Sequence, residues 1–262
     1  MPESTLTLGV VRYLNARPLF AALEARPSIR LVPDVPVRLV ERFRAGGLDA
    51  AILPVFAWFS GIGDSLVRGL GIASRGATDS VRLFCRRPLR EAQTVLLDPE
   101  SLTSNVLCRI LLHQSMGHWP TFLLPTPGAP VPEADAVLRI GDKAMRASGD
   151  EAEIVDLGEL WYRWTGLPFV FAAWFVRPGL SDDTLLPILH QALDEGTARL
   201  AEIAEQGARD TGLDRAACEH YLRERIRNRL GPEEEDGIAH FAERAHREGL
   251  LRQVRSLRFY AP

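Results

Sequence analysis

Apolar runs of strand length alternate with amphipathic stretches at the start of the chain. The segments 6–11, 29–35 and 49–55 are such runs, and the stretches 16–25 and 37–47 between them have helical spacing. The run 49–55 is apolar almost without interruption, which is typical of a strand covered on both faces. This order of elements predicts a βαβαβ unit with a parallel sheet.

The alternation continues through the middle of the chain. Strands are predicted over 81–86, 94–98, 121–125, 136–140 and 169–176. A helix is predicted over 101–117, because hydroxyl residues open this segment and Gly117 closes it. Asp156 with Glu159 three residues later forms a capping box for a second helix. Trp161 lies just inside that helix, either as a core residue or as a platform for a ligand.

The last third of the chain has mainly helical spacing. Ser181 is predicted to cap one helix, and further helices are predicted over 214–229 and 232–248. The arginines between 223 and 229 alternate along the predicted helix, and acidic residues follow them at once. We interpret this stretch as a solvated face and not as a nucleic-acid-binding surface.

The composition excludes several classes of protein. With 262 residues and an apolar fraction of 46%, the chain is expected to fold into one or two globular domains. Its net charge of -3 gives no general attraction to nucleic acid or acidic membranes. The first ten residues do not resemble a secretory signal, and no apolar run approaches the roughly 20 residues that span a bilayer. We therefore expect a cytoplasmic protein without a nucleic-acid or membrane partner, and the oligomeric state stays open.

The usual catalytic motifs are not found in the chain. It lacks GxxxxGK[ST], GxGxxG after a strand, GxSxG and HExxH, so nucleotide-binding, hydrolase and zinc-protease interpretations lose support. The three cysteines have no metal-ligand spacing, so we expect buried thiols and neither a metal nor a cofactor. None of the six histidines follows a predicted strand, which leaves no obvious general base at the sheet edge.

Polar or small residues follow several of the predicted strands. The loops after parallel strands gather at one edge of a sheet, where ligands usually bind. The residues at these positions are Asn15, Pro54, Ser101, Thr103, Ser104, Gly141 and Asp142. The sequence therefore places a candidate ligand site at this edge.

Most of these residues also have a purely structural explanation. Ser101, Thr103 and Ser104 stand where a helix begins, so they form either an ordinary N-cap or a site for a carboxylate or phosphate. Asn15 is a possible N-cap of the segment 16–25, or an amide that donates to one ligand atom and accepts from another. Asp142 is likewise a helix cap or a site residue.

Four blocks of the sequence occur in the order and spacing of one known family. They are YLNARPL (13–19), SLTSNVL (101–107), IGDKAM (140–145) and DLGELWYRWTGLPFVFAAW (156–174). On these blocks the chain resembles the chorismate dehydratases of the futalosine route to menaquinone, over about residues 6 to 177. At 76–81 it has GATDSV in place of a GPVxSV-like segment and retains Ser80.

The resemblance implies an α/β fold with two lobes, the periplasmic-binding-protein-like type II fold, with a helical C-terminal region. Residues 1–78 and 177–262 would form a discontinuous first lobe, and residues 79–176 the second. Two crossings near 73–81 and 172–177 would join the lobes, and the ligand cleft would lie between them.

The resemblance also implies a reaction, the loss of water from chorismate to give 3-[(1-carboxyvinyl)oxy]benzoate. Asn15 would orient the substrate or the leaving hydroxyl, and Ser80 with the helix start at Ser101, Thr103 and Ser104 would hold carboxylates. The remaining expected substrate-binding residues are Gly141, Asp142, Pro54 and Trp161. We hypothesise that the enolpyruvyl carboxylate of the substrate takes the proton, with Asp142 as the rival base or a structural cap.

Three other functions are compatible with the same fold. A binding protein for a small carboxylate needs the same cleft, but it is expected to carry an export signal or a lipid anchor. A ligand-sensing regulator is expected to carry a DNA-binding helix-turn-helix ahead of the first strand. The sister enzyme of the same route, which makes dihydroxynaphthoate, opens with a different motif that contains Pro and Asp.

Overall fold

The computed structural model describes residues 5–117, 119–147, 151–180 and 182–260. Two β-sheets form the framework of this part of the chain, and helices pack on them. This is the mixed α/β arrangement that the alternating pattern predicted. No helix in these ranges is both long and apolar enough to cross a bilayer.

The larger sheet combines a parallel and an antiparallel part. In spatial order its strands are β11 (Arg227–Arg229), β4 (Ser65–Ser74), β10 (Phe169–Val176), β3 (Ala50–Pro54), β1 (Leu6–Val11) and β2 (Ile29–Asp34), with β12 (Phe259–Tyr260) beside β4. The strand β1 pairs in parallel with β2 and β3, as the βαβαβ pattern predicted. The strand β10 runs antiparallel to β3 and β4, so it joins the later part of the chain to the first unit.

The smaller sheet is built from the middle of the chain. In spatial order its strands are β7 (Thr121–Leu123), β6 (Thr94–Leu96), β8 (Ala136–Ile140), β5 (Val81–Cys85) and β9 (Glu153–Asp156). The strand β6 pairs in parallel with β7 and β8, whereas β5 runs antiparallel to β8 and β9. The carboxyl ends of β6 and β8 therefore lie at the same edge of this sheet.

The remaining elements are helical. They are α1 (Pro36–Arg44), α2 (Val55–Phe59), α3 (Thr103–Met116), α4 (Asp142–Arg146), α5 (Leu157–Thr165), α6 (Asp182–Ala198), α7 (Leu200–Thr211), α8 (Arg215–His220), a π-helical turn (Tyr221–Arg225) and α9 (Pro232–Arg247). The Asp156 carboxylate accepts hydrogen bonds from the N–H groups of Gly158 and Glu159, so the predicted cap of α5 is confirmed. Ser181, the predicted cap of α6, lies outside the described residues.

The segment predicted as a helix over 16–25 forms two 3₁₀ turns, Leu14–Leu19 and Ala21–Leu23. Tyr13 holds the N-cap position, so the interpretation of Asn15 as an N-cap is wrong. Pro18 lies inside the first turn, where it supplies no N–H for an α-helical hydrogen bond. Asn15 therefore lies within the turn that follows β1.

Two elements of the larger sheet differ from the sequence pattern. The strand β4 was not predicted, because glycines interrupt its apolar run. At Gly71 a Cβ would lie 2.5 Å from the Ala172 carbonyl oxygen, so the close approach of β10 requires glycine at this position. The helix predicted over 214–229 ends early, because Arg227 and Arg229 pair with β4 as the short strand β11. Tertiary pairing overrides the local helical preference there.

The chain passes between the two sheets in two places. The first passage, 75–80, falls within the crossing predicted near 73–81. The second follows α5 through 166–168, ahead of the crossing predicted near 172–177. The strand β10 pairs with β3 and β4, so 169–176 belongs to the larger sheet, whereas the sequence analysis assigned 79–176 to the second lobe. The other lobe boundaries stay a prediction.

Candidate active site

A cavity lies between the two sheets. Its lining comes from strand ends and from the first passage between the sheets: Val11, Tyr13, Asn15, Pro36, Pro54, Ile72, Ser80, Val81, Ser101, Thr103, Ser104, Ile140, Gly141, Phe171 and Ala172. The carboxyl ends of β1, β3, β6 and β8 thus converge on one space, as the sheet-edge argument expects.

The structure brings together seven of the nine residues that the sequence singled out. The residues at the cavity are Asn15, Pro54, Ser80, Ser101, Thr103, Ser104 and Gly141. Asp142 and Trp161 are not among the lining residues. The role of each residue toward a substrate stays a prediction.

Three hydroxyl residues mark the start of α3 at the cavity wall. The Ser101 hydroxyl accepts a hydrogen bond from the N–H of Ser104 at 3.1 Å, while Leu102 holds the N-cap position of this helix. The Thr103 hydroxyl accepts a hydrogen bond from the N–H of Phe56 at 3.1 Å, which connects α3 to α2. The Asn105 amide nitrogen donates to the carbonyl oxygens of Asp98 and Ser101, which fixes the loop before the helix. A rigid helix N-terminus with its partial positive charge favours an anion here.

Asn15 presents an unpaired oxygen at the cavity. Its side-chain Oδ1 is buried and has no hydrogen-bond partner among the described residues. Its backbone carbonyl accepts a hydrogen bond from the side-chain amide of Asn228 at 3.1 Å. This bond connects the turn that carries Asn15 to β11, in the last third of the chain. Because an unpaired buried acceptor is costly, this oxygen is suited to a donor group on a ligand.

A second set of polar groups, here called the hydroxyl cluster, consists of Thr78, Ser80 and Tyr221. The Tyr221 hydroxyl donates to the Ser80 hydroxyl at 2.7 Å, and the Thr78 and Ser80 hydroxyls lie 3.2 Å apart. All three side chains are buried. Burial raises the pKa of Tyr221, so the phenol stays neutral and remains a donor.

The backbone around Ser80 is held by charged side chains. Asp79 has a φ of +59°, an uncommon conformation for a residue other than glycine. Its N–H and that of Thr78 donate to the Asp156 carboxylate, and its own carboxylate accepts from Arg225 at 2.8 Å. The segment GATDSV, which departs from the family pattern, is therefore fixed by contacts from both halves of the molecule.

Four charged residues and Tyr13 form what is here called the charged cluster. The Tyr13 hydroxyl donates to Glu100 at 2.6 Å, and Arg12 lies 3.3 Å from the same carboxylate. Lys143 bridges Glu100 and Asp98, with N–O distances of 2.9 Å to each. Burial opposes the ionisation of Glu100, but the bonds from Tyr13 and Lys143 outweigh it and hold its pKa below the usual value.

The Tyr13 ring also shapes the cavity. A Cβ at Gly141 would lie 2.8 Å from the ring, and Gly141 has a φ of +62°. Only glycine combines this backbone conformation with such a close contact. Burial and the Glu100 carboxylate raise the pKa of Tyr13, so its hydroxyl proton stays on the oxygen and is donated to Glu100.

Asp142 joins the two halves behind the cavity wall. Its carboxylate accepts a hydrogen bond from the N–H of Leu14 at 3.0 Å. Burial raises its pKa, although the Leu14 bond and nearby arginines oppose the shift. Gly141 holds the N-cap position of α4 without a side-chain bond, so the interpretation of Asp142 as the cap of its own helix is wrong. Its carboxylate binds the Leu14 N–H instead, and its role toward a substrate stays a prediction.

Trp161 lies in the hydrophobic core. Its side chain is fully buried and packs edge to face on Phe169 at 5.2 Å and on Phe241 at 6.3 Å between ring centroids. The expectation that Trp161 contacts the ligand does not match this position. The reason is that α5 turns its apolar face toward β10 and α9, away from the sheet edge where the helix begins.

The cavity lining contains no Asp, Glu, His, Lys, Arg or Cys side chain among the described residues. Tyr13 is its ionisable group, and that hydroxyl is engaged by Glu100. The site can therefore hold and orient a ligand by hydroxyl, amide and helix-end contacts, but it offers no carboxylate or imidazole as a proton acceptor. Nor do the described residues bring together three or more His, Cys, Asp or Glu side chains suited to a metal ion.

Sequence reasoning missed several residues of the site. Tyr13 lies two residues after the end of β1 and in the first sequence block, so the strand-end argument that selected Asn15 also applies to it. Tyr221 follows no strand and matches no motif, and it reaches Ser80 across 141 positions of the chain. A residue of this kind is found only from the tertiary structure.

The fold defines a class of protein. Protein AF1704 from Archaeoglobus fulgidus aligns with a TM-score of 0.69 over 96% of this chain and 100% of its own, at 13% identity. The periplasmic aliphatic sulphonate binding protein SsuA from Escherichia coli aligns with a TM-score of 0.63 over 100% of this chain and 95% of its own, at 16% identity. The chain has the two-lobed periplasmic-binding-protein-like fold, and the predicted fold class is confirmed.

The sequence comparisons narrow the class to a family. The family model described as menaquinone biosynthesis matches residues 6–247. A curated protein named chorismate dehydratase from Thermus thermophilus is 31% identical over 235 residues, which cover 82% of this chain and 86% of that protein. The chain belongs to this menaquinone biosynthesis family, as the four sequence blocks predicted.

Proposed function

We propose that this chain is a chorismate dehydratase, a lyase that removes water from chorismate to give 3-[(1-carboxyvinyl)oxy]benzoate in menaquinone biosynthesis. The observation that carries the proposal is the cavity between the sheets. Hydroxyls, an amide and a helix start line it, and no acidic or imidazole side chain of the described part of the chain does. Membership of the family and the 31% identical chorismate dehydratase supply the reaction.

The chemistry of the substrate fits the polar groups of the cavity. Chorismate carries two carboxylates, and the start of α3 with Ser101, Thr103 and Ser104 is suited to hold one of them. We assign a second carboxylate contact to Ser80, which directly precedes β5 at the cavity. We assign the orientation of the ring hydroxyl to Asn15, whose Oδ1 lacks a partner among the described residues.

The missing base is explained by the substrate itself. Loss of the proton at ring C3 and of the hydroxyl at C4 creates an aromatic ring. The stability of this ring makes the reaction favourable. The enolpyruvyl carboxylate accepts the C3 proton, the C4–O bond breaks, and the departing hydroxide takes up that proton as water. The protein contributes the reactive conformer and the exclusion of solvent, which together account for large rate effects.

A paired substitution tests this assignment. In Asn15→Ala we expect kcat for chorismate to fall about 100-fold, because the ring hydroxyl loses its orienting contact. In Asp142→Asn, which keeps an acceptor for the Leu14 N–H, we expect kcat within about threefold of the wild type. The measurement is the absorbance of the aromatic product. If Asp142→Asn abolishes turnover with unchanged substrate affinity and Asn15→Ala retains it, the assignment is wrong.

One alternative function is favoured by a specific observation. The likeness to SsuA, named as a binding protein, is compatible with a protein that holds a small anion without changing it. The same incubation distinguishes the two functions, since a binding protein returns chorismate intact. Aromatic product formed in proportion to enzyme concentration supports the dehydratase.

A further inference from the structure

Ser80 is the member of the hydroxyl cluster that lines the cavity. The Tyr221 hydroxyl donates to the Ser80 hydroxyl at 2.7 Å, and the Thr78 hydroxyl lies 3.2 Å from it. Thr78 is 0% exposed and Tyr221 is 1% exposed, and neither is among the residues that line the cavity. Both side chains therefore act on a ligand only through Ser80.

The backbone on both sides of Ser80 is fixed by hydrogen bonds. The N–H groups of Thr78 and Asp79 donate to the Asp156 carboxylate at 3.0 and 2.7 Å. The Ser80 carbonyl oxygen accepts a hydrogen bond from the N–H of Gly141 at 2.8 Å. The rotation of the Ser80 hydroxyl is thus the freedom that the hydroxyl cluster can still control.

The number of protons in the hydroxyl cluster decides how Thr78 bonds to Ser80. Each hydroxyl has one proton to donate and can accept two hydrogen bonds. Among the described residues, the Thr78 hydroxyl has Ser80 as its only hydrogen-bond partner. If Ser80 donated to Thr78, the Thr78 proton would be buried without an acceptor, which costs free energy. Thr78 is therefore the donor, and Ser80 accepts from it.

The two donors leave Ser80 with a single role toward a ligand. Its oxygen accepts from Tyr221 and from Thr78, so both of its acceptor positions are occupied. Its own proton then points to the cavity and requires an acceptor. A carboxylate is the preferred acceptor, because hydrogen bonds to charged groups are the stronger ones. The occupied oxygen also leaves Ser80 unable to take a proton from the substrate.

We propose that Thr78 is a positioning residue that, together with Tyr221, makes Ser80 a hydrogen-bond donor toward a substrate carboxylate. The inference rests on the proposed function, and it names the kind of substrate group that Ser80 binds. Without the Thr78 hydroxyl, one acceptor position of Ser80 becomes free. The Ser80 hydroxyl can then rotate and turn its oxygen toward the carboxylate, which repels it.

The first test is kinetic. Thr78→Val removes the hydroxyl and keeps the shape of the side chain. We expect KM for chorismate to rise about fivefold with kcat within about threefold of the wild type, because the lost contact holds a carboxylate that does not change in the reaction. Thr78→Ser keeps the hydroxyl and should return KM to within about twofold of the wild type. An unchanged KM in Thr78→Val, or an equal rise in Thr78→Ser, overturns the proposal.

The same substitution in the Ser80→Ala background tests whether Thr78 acts through Ser80. There Thr78→Val should change KM by less than about twofold, since the donor that it orients is already gone. If the two effects on KM multiply in full, Thr78 acts independently of Ser80 and the proposal is wrong.

A matched control separates positioning from folding. Thr211→Val makes the same exchange at another buried threonine, whose hydroxyl donates to the Gly207 carbonyl at 2.7 Å outside the cavity. This control should leave KM unchanged, while thermal unfolding reports the cost of losing a buried hydroxyl. An equal rise of KM in both variants overturns the proposal. If Thr78→Val does not fold, Thr78→Ala is compared with Thr78→Ser, since these two variants differ by one oxygen atom.

The last test does not depend on turnover. Calorimetric titration with isophthalate and with benzoate measures what a second carboxylate adds to binding on the same ring. The wild type and Thr78→Ser should prefer isophthalate by about fivefold or more, and Thr78→Val should lose most of this preference. The same preference in the wild type and in Thr78→Val, or none in the wild type, overturns the proposal. If the preference depends on Thr78 but the wild type does not turn over chorismate, the proposed function alone is wrong.

Discussion

The charged cluster and the hydroxyl cluster both join the two halves of the molecule, but they differ in burial and charge. In the charged cluster Lys143 is 37% exposed and bonds to carboxylates of the smaller half, while Tyr13 comes from the larger one. In the hydroxyl cluster every member is neutral and buried. Half-exposed charges are screened by water and salt, whereas buried neutral hydrogen bonds are directional and poorly replaced by solvent.

This difference implies a division of roles. The charged cluster connects the two halves where the chain leaves β1, and we expect its main contribution to be to the free energy of unfolding. The hydroxyl cluster fixes Ser80 at the cavity, and we expect it to contribute mainly to substrate binding and turnover. Substitutions in the charged cluster should therefore change mainly the free energy of unfolding, and substitutions in the hydroxyl cluster mainly the kinetic constants.

The largest change in stability is expected for Lys143→Met. It leaves the Asp98 carboxylate, which is 3% exposed, without its cation. Breaking a fully buried pair costs about 3–5 kcal/mol; the partial exposure of Lys143 lowers our expectation to about 2 kcal/mol of unfolding free energy. Urea unfolding at neutral pH measures it. The matched control is Arg209→Met, at an exposed pair with Glu205, where less than about 0.5 kcal/mol is expected. Equal losses in both variants would contradict a stabilising role for the charged cluster.

A smaller loss is expected for Tyr13→Phe. The variant removes a donor to an ionised carboxylate but keeps the ring against Gly141. We therefore expect the free energy of unfolding to fall by about 1.5 kcal/mol. Combining it with Glu100→Gln should give less than the sum of the two losses, since both remove the same bond. Tyr162→Phe, at a hydroxyl that accepts from the exposed Arg75, is the control and should change stability little. Strict additivity would show that the bond does not contribute.

Ser80→Ala should alter substrate binding more than folding. It leaves the Tyr221 hydroxyl without its acceptor, which should lower the free energy of unfolding by about 1 kcal/mol. The loss of a donor to a substrate carboxylate should raise KM for chorismate by about tenfold. Steady-state kinetics and urea unfolding on the same preparation give both values. An unchanged KM would place the carboxylate elsewhere in the cavity.

The smallest effect concerns pH. The pKa of Glu100 is lowered in the folded protein, so its contribution is present above the unfolded pKa of about 4.3 and is lost as pH falls through the folded pKa. Glu100→Gln should therefore be less stable than the wild type at pH 7, by less than about 1 kcal/mol. The difference should shrink once the pH falls below the folded pKa. A difference that is constant with pH would mean that the charge of Glu100 contributes nothing.

Much of the candidate site was predictable because it depends on strand ends. Asn15, Ser101 and Gly141 each follow a strand whose apolar run is visible in the sequence, and Pro54 ends one. Parallel pairing within each sheet brings these ends to the edge that lines the cavity. Trp161 was placed wrongly by the same argument, since a position near a helix start does not fix which face of the helix is buried.

Other features had no local signal. The strand β4 was hidden by Gly69 and Gly71. Gly71 is required by the close approach of β10, and Gly69 has a φ of +82° that favours glycine. The helix predicted over 214–229 gives way to a π-helical turn and a strand, because β4 offers an edge for pairing. Both depend on partners far away in the chain.

The sequence by itself determined the alternation of strands and helices, the strand-end residues and, through four motif blocks, the family. These features are local, since apolar periodicity and capping act within a few residues. Only the tertiary structure decided that Tyr221 meets Ser80 and that Tyr13 meets Glu100, pairs separated by 141 and 87 positions. Such contacts arise when distant segments share one buried volume, where each polar group needs a partner.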